Sequence, residues 1–263
     1  MKISTFNINS VNARIDGLLG WLKETSPDVV LLQEIKAEFN NFPFFELKTL
    51  GYEAEILGQK SYNGVAVLSH HKMTVAAEGL PGFEDDQARY LEVVVDDGRE
   101  KWRVASIYMP NGNPPYNRPD DESKFEYKCR WMEAFRAHAS GLLLKREKIV
   151  LGGDFNVIMT DNDVYDPRLF AGNALFRPEV RHELSAVCNL GWYDAFRMLH
   201  QNETAYTYWD YAGGAFQNDQ GLRIDYLLLS PLAADALTSC FVDKSPRRGD
   251  KPSDHTPLTA ELK

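Results

Sequence analysis

The chain has 263 residues, 44% of them hydrophobic and 25% charged, enough to bury one large core or two modest ones. No apolar run approaches the length that crosses a bilayer, and the opening MKISTFNINS alternates instead of running apolar as a signal peptide does, which points to the cytoplasm. The formal net charge of −9 lowers the expectation of a nucleic-acid partner without excluding it, because acids gathered to hold cations would give the same total. Cys129, Cys188 and Cys240 are far apart and lack metal-binding spacing, as expected in a reducing compartment.

In chain order, KISTFNIN (2–9) reads as a strand. VNARIDGLLGWLKETS follows with Val11, Ile15, Leu18, Leu19 and Leu22 at helical spacing and Pro27 beyond its end. DVVLLQEI (28–35) is almost continuously apolar, a strand buried on both faces that ends in Glu34. Further strands are expected at 63–70, 88–97 and 101–110, the last two joined by a DDGRE hairpin turn. NGNPPYNRPDDE (111–122) is a loop, a helix spans about 123–146, and KIVLGGDFNV (148–157) is the next strand. Later strands fall at 204–211, 222–230, 238–243 and 256–262. No composition break marks a linker and no short repeat recurs, so residues 1–263 form one domain: two packed sheets with helices outside.

Acids and amides sit where apolar residues would be expected to continue. Glu34 ends its apolar run, although a lone Glu at a strand end is commonly a solvated cap. GGDFNV is a tighter signal. Its glycines let backbones approach closely, and Asp154 and Asn156, two apart, project to one side. Asp225 stands inside the apolar LRIDYLLLS, where an unpaired carboxylate is costly, so it requires an imidazole or a metal as partner. His255, in PSDHTPL beside Asp254, supplies the imidazole of a His–Asp pair. Asn7 and Tyr108 lie at strand ends and gain weight only as part of this set. An inventory of oxygens from Asn7, Glu34, Asp154, Asn156 and Asp254 suits Mg²⁺, with Mn²⁺ as a substitute, better than zinc. No Walker A, dinucleotide or nucleophile-elbow motif occurs.

Taken together, FNINSVNARI, LLQEIK, NGVAVLS, IYMPNG, GGDFNV, YTYWDY, RIDYLLLS and PSDHTPL resemble the exonuclease III family of apurinic/apyrimidinic endonucleases, within the endonuclease/exonuclease/phosphatase superfamily. The resemblance runs from residue 2 to about 262. GDFN and SDH are shared across the superfamily, whereas SVNARI, YTYWDY and RIDYLLLS point to its DNA-repair branch. It implies an α/β four-layered sandwich, two packed mixed β-sheets flanked by helices. It also implies a Mg²⁺-dependent nuclease that cuts 5′ to abasic sites in double-stranded DNA and works on 3′ ends, needing no membrane and no obligate protein partner.

Carried over by motif, Asn7 and Glu34 would belong to the metal site, with Glu34 the direct ligand and Asp254 contributing. Asn156 and His255 would adjoin it. Tyr108 would contact the scissile phosphate, Asp154 would orient or deprotonate water, and Asn156 would hold the phosphate. Asp225 would orient His255, which would stabilise charge on the phosphoryl oxygens. Arg89, Asn111 and Asn173 match DNA-contacting positions. Tyr208, Trp209, Leu222 and Ile224 would line a pocket for a baseless sugar, and Phe216 and Gln217 are candidates in the Gly-rich loop 212–220. The alternative is a phosphodiesterase or phosphatase of the same superfamily acting on a lipid or small-molecule phosphate. A non-catalytic descendant would be expected to lack a catalytic residue, and every position is filled.

Overall fold

Side-chain alternation along the strands sorts this chain into layers. In the computed structural model, which describes residues 1–263, the first half runs β1 (Lys2–Asn7), α1 (Ile15–Thr25), β2 (Val29–Gln33), α2 (Phe44–Thr49), β3 (Glu53–Leu57), β4 (Val65–Ser69), β5 (Lys72–Glu78) and β6 (Tyr90–Asp96). It continues with β7 (Lys101–Tyr108), α3 (Ser123–Leu143), β8 (Lys148–Asp154), α4 (Pro178–Asn189), β9 (Tyr193–Asp194) and α5 (Ala195–Leu199). The chain closes with β10 (Asp225–Leu229), α6 (Pro231–Ala234), β11 (Leu237–Val242) and β12 (Leu258–Leu262). Two six-stranded sheets result, ordered β11-β12-β1-β2-β4-β3 and β5-β6-β7-β8-β10-β9. Each is mixed: β1 and β2 run parallel, as do β7 and β8, and the other pairings are antiparallel.

Ile3, Val29, Leu31, Val150, Leu227, Leu229 and Leu258 pack between the sheets. The alternate residues face outward. Phe6, Val30 and Leu32 meet Leu18, Trp21 and Leu22 of α1 and Leu47 of α2. Ile149, Leu151, Tyr226 and Leu228 meet Trp131, Met132 and Phe135 of α3 and Val180 and Leu184 of α4. Helix, sheet, sheet and helix therefore make the four layers expected. Each large apolar side chain so buried contributes about 1.5–3 kcal/mol before chain entropy is counted.

The inward row changes character toward one end of the sandwich. Ile3 is followed inward by Thr5 and Asn7, Leu31 by Gln33, Val150 by Gly152 and Asp154, and Leu227 is preceded by Asp225. At the middle level the sheets come too close for side chains on both. A Cβ on Gly152 would lie 2.6 Å from both Leu31 Cδ1 and Leu227 Cδ2. Polar bonds cross there: Gln33 Nε2 donates to Ser106 Oγ at 3.0 Å, and Ser106 Oγ to the Leu32 carbonyl at 2.8 Å. One level further out, Asp154 is in register with both Tyr108 and Asp225. This is the floor of the site.

The structure departs from the sequence reading in particular places. Residues 204–211 are not a strand. Tyr208 alone bridges Leu222 on one side and His255 on the other, because the segment bends to tie two loops together. Asp225 begins β10 instead of interrupting it, yet it is fully buried. Strands β3 and β5 were not anticipated. They are edge strands whose residues are mostly part-exposed or exposed, so no buried face imposes a period. Helix α4 was also not anticipated, although Pro178 at its first turn and Val180, Leu184 and Val187 at helical spacing mark it.

Candidate active site

The strand ends converge on a cavity of about 440 Å³. Its floor holds Glu34, Tyr108, Asp154, Asn156, Asp254 and His255. His255 Nδ1 is 2.8 Å from Asp225 Oδ2, and its Nε2 lies 3.6 Å from Asp154 Oδ2. Ligand atoms of Asp154, Asp225 and His255 lie within 4.8 Å of one another and could hold a metal ion, and Asp225 Oδ1 is buried without a hydrogen-bond partner. Glu34 Oε1 accepts from Asn7 Nδ2 at 2.9 Å, and Asn7 Nδ2 also donates to Asp154 Oδ2 at 3.0 Å. Because Asn7 Oδ1 accepts from the Asn9 amide, this residue reaches the carboxylates through nitrogen and holds them instead of presenting oxygen. Asn156 is likewise engaged at both ends, donating to the Met109 carbonyl and accepting from Asn111 Nδ2.

The backbone at these strand ends is strained. Asn9, Ser10, Glu34, Lys36 and Asn156 have positive φ values of 48°, 84°, 50°, 51° and 49°. A non-glycine residue in that region costs about 1–2 kcal/mol, and such residues gather at functional sites. The turn brings Lys36 back over Glu34, with Nζ 2.8 Å from Oε2, and the same ammonium donates to Asn9 Oδ1. Asn9 Nδ2 in turn donates to Asp254 Oδ1 at 2.9 Å. Sequence reasoning passed over Lys36 and Asn9 because two-residue spacing on an ordinary strand says nothing of this reversal.

Tyr208, Leu222 and Ile224 form an apolar wall of the same cavity, with Tyr165, Phe170 and Leu175, which sequence reasoning had not singled out. The Tyr208 ring packs edge-on to His255, centroids 5.0 Å apart. Asn111 and Asn173 lie on the cavity rim. Trp209 does not line it. It is fully buried behind the wall against Tyr206 and Phe216, its Nε1 donating to Asp219. Arg89 lies in an adjoining hollow that shares Asn111, with its guanidinium 4.9 Å from the Tyr108 ring centre. Phe216 and Gln217 border a separate hollow with Tyr211 and Arg247.

A family model described as the Endonuclease/Exonuclease/phosphatase family matches residues 4–255. The chain belongs to that family. Among relatives, it is 32% identical to exodeoxyribonuclease III of Haemophilus influenzae, over 100% of both chains. It is 30% identical to the DNA repair nuclease APEX1 of Danio rerio, covering 100% of this chain and 82% of that one. Among solved structures, an AP endonuclease from Archaeoglobus fulgidus superposes with a TM-score of 0.92 at 33% identity, over 100% of this chain and 99% of that one.

In this endonuclease/exonuclease/phosphatase family member, burial and charge set the protonation states. Burial alone would make His255 neutral, but Asp225 and then Asp154 outweigh it and push the imidazole up to about 10. Burial, with the charges of Asp225 and Glu34, pushes Asp154 up to about 7 against the pull of His255. Glu34 is also opposed by burial, yet bonds from Lys36 and Asn7 hold it below the usual carboxylate range. Burial and the adjacent acids keep the Tyr108 phenol protonated, and so a donor.

Proposed function

We propose that this chain is a Mg²⁺-dependent DNA-repair nuclease that cleaves the phosphodiester 5′ to abasic sites and trims or cleans 3′ ends. One observation carries the reading: an acid-rich floor and an apolar wall share one cavity. A scissile phosphate and a sugar without its base can then be held together, the sugar against the apolar wall. The names of the relatives, exodeoxyribonuclease III and DNA repair nuclease APEX1, agree with it. A cytoplasmic location is consistent with three free cysteines, and no helix is long and apolar enough to cross a membrane.

The donor set fits a hard divalent cation, since the carboxylates of Glu34, Asp154 and Asp254 line one cavity. Glu34 and Asp254 would hold the ion, with Asp154 beside it. Bound there, Mg²⁺ (or Mn²⁺) supplies charge neutralisation at the phosphoryl and departing 3′ oxygens. Asp154 orients the attacking water and takes its proton. Asp225 fixes His255 through Nδ1, so that Nε2–H faces the phosphoryl oxygens and stabilises the charge that develops on them. Tyr108 donates its phenol proton in a hydrogen bond to the phosphate, and Asn156 and Asn111 keep that side of the cavity in register. Positioning and charge do the work, as phosphoryl transfer requires.

The test is incision of a duplex with one abasic analogue against a matched intact duplex, with and without Mg²⁺, with products sized. Much faster, Mg²⁺-dependent cutting of the abasic strand is expected. Equal rates on the two duplexes remove the pocket reading. Faster hydrolysis of phosphoinositide or sphingomyelin in parallel assays moves the protein to the lipid-phosphate branch.

A further inference from the structure

The apolar stripe of α3 contains one charge. Phe125, Met132 and Phe135 recur at helical spacing on its buried face, and Lys128 occupies the same stripe with no exposed surface. A buried ammonium without an anion is costly, and the partners of this one are carbonyls, not carboxylates. Nζ donates to Asn156 O at 2.5 Å, Asn111 O at 3.0 Å and Ala174 O at 3.2 Å. These three acceptors match the three N–H groups of the ammonium form, and they oppose the burial that pulls the group down to about 7. They also belong to three separate segments, one following β7, one following β8 and one in the loop before α4, and each segment contributes lining to the cavity through Asn111, Asn156 and the pair Asn173 and Leu175.

A second observation concerns the path of the side chain. Gly112 has φ +85°, and a Cβ there would lie 2.7 Å from Lys128 Cδ. The loop after β7 is therefore bare of side chain where the lysine stem passes beneath it. The platform beneath is rigid, because α3 is fixed by Trp131, Met132 and Phe135 in the outer core.

We propose that Lys128 is a positioning residue, a three-way clamp that sets the separation of the Asn111, Asn156 and Asn173 walls. Its consequence for catalysis rests on the nuclease reading above. Asn156 donates its backbone N–H to Asp154 Oδ1 at 2.9 Å, so a wall that drifts takes the proposed base with it. A misplacement near 1 Å is enough to lower a rate about 100-fold.

Two readouts test this separately. In Lys128→Met, amide hydrogen exchange should quicken together in residues 110–113, 155–158 and 173–176, with distant strands unchanged. On abasic duplex at saturating concentration, well below the melting temperature, kcat should fall about 100-fold, and Lys128→Gln, which restores two N–H donors, should recover part of it. Gly112→Ala retains the ammonium but crowds its stem, and should lower kcat/KM about tenfold. Wild-type kcat and KM in Lys128→Met, with only the melting temperature lowered, would make the lysine a core strut and overturn the proposal. If Lys128→Met does not fold, unchanged kinetics in Gly112→Ala overturn it instead. Joint loosening of the three segments in a protein whose wild type leaves abasic DNA intact supports the clamp and refutes the nuclease reading.

Discussion

Arg223 and Asp225 are two residues apart at the start of β10, and both are fully buried. Their surroundings are opposite. Arg223 Nε is 2.7 Å from Asp163 Oδ1 and Nη1 is 2.7 Å from Asp194 Oδ2, while Arg197 reaches Asp163 at 2.5 Å. That cluster is balanced in charge, although Arg223 Nη2 is buried without a hydrogen-bond partner. Asp225 instead shares its one histidine with Asp154, and its Oδ1 is likewise unpartnered. Around it, the direct ion pairs of Glu34 and Asp154 are those with Lys36 and His255, and Asp254 has none. A balanced buried cluster holds a fold together. One short of positive charge is unfinished until a cation arrives, and that imbalance, more than burial itself, marks a site.

Asp154 and His255 carry the chemistry on the proposed reading. Asp154→Asn and His255→Ala should each lower single-turnover cleavage by about 10²–10⁴, the range for a positioned base or electrostatic stabiliser. Substrate affinity should change much less, because these groups act mainly in the transition state. In chelator, Asp154→Asn should melt no lower than wild type, since it removes a carboxylate that burial and its neighbours oppose. Near-wild-type single-turnover rates in either variant would remove the assigned role.

Arg223→Met should do the reverse. It strands Asp194 and leaves Asp163 with Arg197 alone, and breaking a buried pair in this way costs about 3–5 kcal/mol. Urea denaturation should show that loss, a large share of a typical 5–15 kcal/mol. Turnover per folded molecule should change less than tenfold. A variant with full stability and lost activity would show that Arg223 belongs to the site after all.

Much of this contrast could be read in the sequence, and the reason differs from residue to residue. Asp154 and Asp225 stand out because period-2 strands make an acid on an inward row conspicuous, whereas Glu34 is noticed as the end of an apolar run and His255 as the imidazole that Asp225 requires. The same rule located most inner strands, and helical spacing located α1 and α3, while β3, β5 and α4 went unread. Trp209 was read as pocket lining because an aromatic beside Tyr208 cannot be assigned a side from sequence, and the turn that buries it is set by contacts to Asp254 and Asp219. Asn7 was read as an oxygen ligand, yet which end of an amide faces a carboxylate depends on Asn9, whose left-handed backbone no local propensity announces. The pairing of Lys36 with Glu34 was hidden for the same reason. Arg223 has no signal in the sequence because its partners are 60 and 29 residues away.

Cation binding should distinguish the two clusters. If the site is completed by a divalent ion, adding Mg²⁺ to chelator-treated protein should stabilise it by about 2.7 kcal/mol at roughly 100 times Kd. For a chain of this length that raises the melting temperature by about 5–10 °C. Glu34→Gln should shrink the shift and slow cleavage, whereas Arg223→Met should lower the baseline and keep the shift. Full cleavage in excess EDTA would sink the metal dependence.

A weaker effect is expected from a second buried ion-pair cluster, beneath α3. Glu92 is 3% exposed and is held at once by Arg103 Nη1 at 2.7 Å, the Tyr90 hydroxyl at 2.6 Å and His138 Nε2 at 3.0 Å. Burial opposes its charge, but the bonds from His138, Tyr90 and Arg103 prevail and bring the carboxyl from its ordinary 4.5 to about 2. A depressed folded pKa means that the unfolded chain takes up the proton first. The contribution of Glu92 to stability is therefore fully present above pH 4.5 and is lost as pH falls from there toward 2. Glu92→Gln should lower stability at neutral pH and flatten its fall across that acid window, as measured by urea midpoints at a series of pH values, while abasic-site cleavage at neutral pH stays within a few-fold of wild type. An acid profile unchanged by the substitution would mean that Glu92 is not the titrating group, and balanced clusters would then lose their claim to be the stabilising half of the comparison.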